Sequence, residues 1–170
     1  MRVRRNLLLT VLLFAGFLAG AVFIRFWHLA RPPPDQALLV SAVMMAKLDD
    51  MRKRPKYVDE PGTIYNGMRP EIARRLAEAQ LNTLIDRLRQ QIAATPNKKF
   101  VLREFSKTLA QFEQIDTEDR ERLCGYLEEI MDILGIESSD GLLNRWMYGP
   151  LLGTILQKDV ERTKKPASQD

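Results

Sequence analysis

The chain has 170 residues, with 26 Lys and Arg against 22 Asp and Glu, one histidine and one cysteine. Arg2, Arg4, Arg5 and Arg25 all fall in the first 25 residues, which carry no acid, so the rest of the chain is formally neutral. The net charge of +4 therefore makes no case for nucleic-acid binding. One Cys and one His exclude an intramolecular disulfide and the usual zinc-ligand sets, and no cofactor is implied.

In chain order, a basic tail (residues 1–6) precedes the unbroken apolar run Leu7–Ile24, LLLTVLLFAGFLAGAVFI. As a helix this run spans roughly 27 Å at about 1.5 Å per residue, just enough for the hydrocarbon core if Phe26 and Trp27 extend it into the interface. The arginines ahead of it hold the N-terminus in the cytoplasm and send the remainder across. The expectation is a single-pass signal anchor over residues 7–27 in the inner membrane, with the domain extracytoplasmic. Its competitor is secretion after cleavage behind Ala21, since Ala19-Gly20-Ala21 has the A-x-A form. Apolar sequence continuing through Val22, Phe23 and Ile24 favours retention. A soluble protein with a buried N-terminal helix is the plain alternative.

A Pro-rich spacer follows at 28–35, and residues 36–156 form one domain; a polar tail (157–170) ends the chain. Asp35 is expected to cap a helix to about Arg54 whose apolar residues cover most of the circumference, which implies burial on several sides or a membrane-surface position. Arg52-Lys53-Arg54-Pro55-Lys56 suits that helix's C-terminal dipole, with lipid headgroups as the other use. The loop Tyr57–Met68 is long, so it is either mobile or wrapped on the core. Pro70 opens a helix to about Ala94 whose apolar phase shifts. Ile72, Leu76 and Ala79 share one face, and Leu81, Leu84, Ile85, Leu88 and Ile92 nearly the opposite one. Either the helix kinks near Gln80 or its halves pack on different partners.

Pro96-Asn97 precedes a helix over about Lys98–Glu113. The clearest helix is capped by Asp116 or Thr117, carries Leu123, Leu127, Ile130 and Leu134 at helical spacing, and ends at Gly135. Cys124 borders that stripe and is expected to be a buried packing residue. Ser138-Ser139-Asp140 caps a short last helix with Leu142, Leu143, Trp146 and Met147. With no period-two alternation, the domain reads as all-α, five or six helices in one compact body behind the anchor.

Asp116-Thr117-Glu118-Asp119-Arg120, then Gly135-Ile136-Glu137-Ser138-Ser139-Asp140-Gly141-Leu142-Leu143-Asn144, then Trp146 and Tyr148-Gly149 carry a resemblance. The stretch from about Lys99 to Gly149 resembles the small bacterial helical domains called domain of unknown function 4844. The resemblance implies a helical fold and contributes no activity, so no functional residue is carried over from it.

Catalytic, nucleotide-binding and EF-hand motifs are absent, and His28 is best read as an interfacial neighbour of Trp27. The acids show order: Glu118, Glu121, Glu128 and Asp132 share a helix face with Gly125, opposite the leucine stripe. The plain reading is a solvated face paired with nearby arginines; the functional one is a docking surface for a basic protein partner. The leading expectation is thus a membrane-anchored interaction module that uses no nucleic acid. The alternative is a small envelope hydrolase using carboxylates such as Glu128, Glu129 and Asp132.

Overall fold

The structure is a computed structural model that describes residues 35–150. The chain divides into two units, Met1–Pro34 and Asp35–Asp170, and the described residues belong to the second. The expected anchor at Leu7–Ile24 and the tail from Gln157 lie outside the described residues. Among the described residues no helix is long and apolar enough to cross a membrane.

The domain is all-α. Its helices are α1 (Ala42–Lys53), α2 (Glu71–Gln91), α3 (Lys98–Leu109), α4 (Thr117–Leu134) and α5, residues 142–150. The only β-type pairing among the described residues is an isolated antiparallel bridge between Ala37 and Asn97. That bridge corrects the expected start of α1. Leu38 N–H donates to Pro96 O (2.8 Å) and Lys98 N–H to Gln36 O (2.9 Å), so residues 36–38 are held extended. Ser41 caps α1, and the Asp35 carboxylate instead accepts from Lys99 N–H in the first turn of α3 (3.0 Å). A carboxylate there meets orphan donors and the positive end of the helix dipole.

The expected burial of α1 on several sides is also corrected. Only Leu48 and Met51 are buried; Leu39 and Val43 face solvent. The basic residues at its end are all taken up within the domain. Arg52 pairs with Asp86 (2.6 Å), Lys53 with Asp49 (2.5 Å) and Arg54 with Glu129. The Lys56 ammonium, in a residue only 1 % exposed, donates to the carbonyls of Arg52 and Arg54, the orphan acceptors that end α1. Burial pushes its pKa down.

Asp49–Arg89 (3.1 Å) and Arg52–Asp86 set α1 antiparallel to α2. In turn α2 packs on α3, and α1 on α4. The helix α2 runs unbroken through Gln80, so the phase shift marks no kink. Its later turns bury Leu81, Leu84, Ile85 and Leu88 completely, whereas Ile72 and Leu76 in the first turns remain 69 % and 62 % exposed. The first half reaches the core through Ala77 and partly buried Ala73 and turns Ile72 and Leu76 outward, away from the core that the second half fills.

The core is completed by Phe100, Val101, Phe105, Leu109 and Phe112 beside α3 and by Leu123, Leu127, Ile130 and Leu134 of α4. The loop at 57–68 wraps this core, burying Tyr57, Tyr65 and Met68. Met68 N–H donates to Tyr57 O (2.9 Å) and closes it. Gly67 is required at that closure: its φ is +76°, and a Cβ there would stand 2.8 Å from Asp59 N.

Candidate functional site

α4 is built as its sequence dictates. Asp116 accepts from Asp119 N–H (2.9 Å) as N-cap, and Gly135 ends the helix at φ +69°. Ile136 N–H reaches back to Met131 O (2.9 Å), and buried Ile136 completes a Schellman motif. With the leucine stripe turned fully into the core, the opposite face must be solvent-facing. Glu118, Glu121, Gly125, Glu128 and Asp132 are all exposed.

Flanking segments are fastened on either side of that face. The 57–68 loop is pinned by Tyr57 N–H to the Tyr126 hydroxyl (2.9 Å), by the Tyr65 hydroxyl to Asp119 (2.5 Å), and by Arg122 to Glu60 (2.9 Å). These contacts hold Ile64, 88 % exposed, beside the helix. On the other side Arg120 lies over the Trp146 ring (4.4 Å to the centroid) and donates to Trp146 O (2.5 Å), while Leu143 is buried. That places Met147 and Tyr148 of α5 opposite Ile64.

Two hollows result. One, of about 200 Å³, is lined by Thr63, Ile64, Tyr65, Glu118, Glu121, Arg122 and Gly125. The other, of about 160 Å³, is lined by Glu121, Cys124, Gly125, Glu128, Leu143, Asn144, Met147 and Tyr148. They share Glu121 and Gly125. Glu118, Glu121 and Glu128 are thus brought together around the hollows, and Asp132 extends the same face beyond them.

Among the described residues the pairing expected of an ordinary solvated face is missing. None of these four acids makes an ion pair or side-chain hydrogen bond with a described residue. The nearest arginines are engaged elsewhere, Arg120 with Trp146 and Arg122 with Glu60 and the Tyr65 ring. Glu129, grouped with Glu128 and Asp132 as a carboxylate set in the hydrolase alternative, is instead committed to Arg54.

Among the described carboxyl groups, burial raises the pKa of Asp119, opposed by the hydrogen bond from Tyr65. Asp119 is closed beneath the loop and serves to hold it. Among the described residues no three His, Cys, Asp or Glu side chains are placed to hold a metal. Cys124 is half-buried, which corrects the expectation of full burial, because it lies at the edge where α4 leaves the core for the second hollow. Burial pushes its thiol up to about 11, with Glu128 adding to the effect. Alkylation at neutral pH is expected to be about a hundredfold slower than in the unfolded chain, because the thiolate is scarce. Equal rates in native protein and in denaturant would contradict that placement.

The sequence pattern identified the acidic face but missed Ile64, Met147 and Tyr148 as its walls. The available signal was Gly125, a helix-disfavouring glycine inside a strong helix on the exposed side, which leaves a gap in that face.

An all-α domain with a solvent-facing, acid-lined groove is what fold and surface define. The chain belongs to the family Domain of unknown function (DUF4844), which it matches over residues 39–150. A DUF3571 family protein from Acinetobacter baumannii AYE, known from a crystal structure, is similar to it. The two share 27 % identity at a TM-score of 0.57, covering 68 % of this chain and 96 % of that one. No curated protein matches the chain.

Proposed function

We propose that the chain is a membrane-anchored interaction module whose α4 face docks a basic protein partner. The observation that carries this is the set of acids Glu118, Glu121, Glu128 and Asp132, exposed together without ion-pair partners among the described residues. Like charges held on one face are unfavourable in the isolated chain and become favourable when a cationic surface neutralises them. Acids so disposed also repel an anionic bilayer, which turns the face toward other proteins.

The test is charge reversal. Glu121→Lys with Glu128→Lys is expected to abolish recovery of the partner from solubilised membranes and to shift the melting temperature little, since both side chains are exposed. Unaltered recovery by the folded double variant would remove the docking role.

The anchor belongs to the same proposal and rests on the charge-free run Leu7–Ile24 behind three arginines. Intact-mass measurement of the native protein is expected to show Leu7–Ile24 retained. A chain beginning at Val22 would make the protein a secreted one.

A further inference from the structure

We infer that the groove over Gly125 seats a cationic amphipathic helix of the partner protein, laid across α4. This rests on the docking reading above and adds the shape of what docks. Gly125 stands in the middle of α4, where glycine is unfavourable. A Cβ built on it meets nothing within 4 Å, so no described neighbour demands its absence. What glycine supplies there is a gap in the ridge of side chains, where another helix meets no side chain of α4.

The surroundings fit that occupant. The two hollows lie on opposite sides of α4 and meet at the gap, so a body crossing at Gly125 dips into both. Exposed Ile64 closes one end, and Met147 with half-exposed Tyr148 closes the other. Glu118 and Glu121 stand before the crossing, and Glu128 and Asp132 after it. A helix is about 10 Å across, and helices read grooves with apolar residues three or four apart while their flanks carry charge. The matching sequence has one or two leucines at that spacing, with Lys or Arg on both sides. Phosphate-bearing nucleic acid and anionic lipid are refused by the same carboxylates.

The chain itself holds a chemically similar segment outside the described residues. Leu151, Leu152, Ile155 and Leu156 are followed by Lys158, Arg162, Lys164 and Lys165. The test therefore has to tell partner from tail. Full-length chain in zwitterionic nanodiscs is titrated with a labelled Lys/Ala peptide of about 18 residues, long enough to form a helix, carrying two leucines four apart. A scrambled peptide of the same composition is the control, and empty discs give the baseline. Wild type is expected to prefer the patterned peptide by about tenfold or more. Gly125→Leu, whose Cβ meets nothing within 4 Å, is expected to erase that preference and leave weak, salt-sensitive binding of both peptides. Ile64→Ser, at a site exposed in any case, is expected to reduce the preference and serves if Gly125→Leu does not fold.

Equal binding of the two peptides by wild type, or a preference that survives both substitutions, overturns the helix groove while leaving electrostatic docking intact. Binding unaffected by Glu121→Lys with Glu128→Lys removes the docking reading itself. Faster amide exchange at 151–170 in Gly125→Leu than in wild type would show that the groove's occupant is the chain's own tail, and that also overturns the proposal.

Discussion

Leu127→Ala is expected to destabilise the domain by about 2–5 kcal/mol, against no more than about 0.5 kcal/mol for Glu128→Ala one position along. Leu127 is completely buried at the centre of the α4 stripe, within the core shared with α1, α2 and α3. Removing its side chain forfeits the transfer free energy of the lost carbons. It also leaves a cavity that neighbours held in three other helices cannot collapse to fill. Glu128 is exposed and has no ion-pair partner among the described residues, so its loss removes little except repulsion. Denaturant unfolding of the two variants measures the difference directly. Equal losses would mean that α4 is rotated about its axis, and the acidic face would then not be the outward one.

The reason α4 could be oriented from sequence is that three signals agreed on it. A capping aspartate, large aliphatic residues spaced four, three and four, and a terminal glycine each depend on short-range physics alone. The structure uses all three as read. The start of α1 was illegible for the opposite reason. Asp35 is a good N-cap in isolation, but its best partner was Lys99 N–H, far along the chain, and local pattern carries no information about such a pairing. The first half of α2 misled in another way. Ile72 and Leu76 have helical spacing and so imply a partner, yet the described domain provides none.

At the site, the acids were legible because a helix face follows from residue spacing. Their lack of partners among the described residues was not. That depends on where Arg120 and Arg122 turn, and both are drawn off by the loop and by α5. The walls of the groove were hidden for the same reason: Ile64 and Met147 come from segments whose docking is tertiary. Composition alone could not place an isoleucine from a polar loop beside a glycine some sixty residues later.

Glu104→Ala is expected to be the costliest polar substitution, at about 3 kcal/mol. Glu104 sits on α3 at only 2 % exposure, with Lys107 at 2.7 Å, Arg87 of α2 at 3.2 Å and Arg103 at 3.5 Å. Removing it strands the Arg87 guanidinium, which is largely covered and otherwise reaches only the Thr108 hydroxyl (3.2 Å). The value stays at the lower end of the range for buried ion pairs because Lys107 and Arg103 are more than half exposed and can be rehydrated. The same geometry gives a pH signature. Burial by itself would raise this carboxyl, but Lys107, Arg87 and Arg103 outweigh it, and the pKa is held below the usual carboxylate value. A group depressed in the folded state stabilises fully above its unfolded pKa, about 4.3, and loses that contribution as pH falls through the folded value. Wild type is therefore expected to exceed Glu104→Gln in unfolding free energy at pH 7, with the gap closing in acid. A gap of the same size at pH 7 and below the folded pKa would show that the stabilisation owes nothing to the carboxylate's charge, and the cation cluster around Glu104 would have to be reassigned to packing.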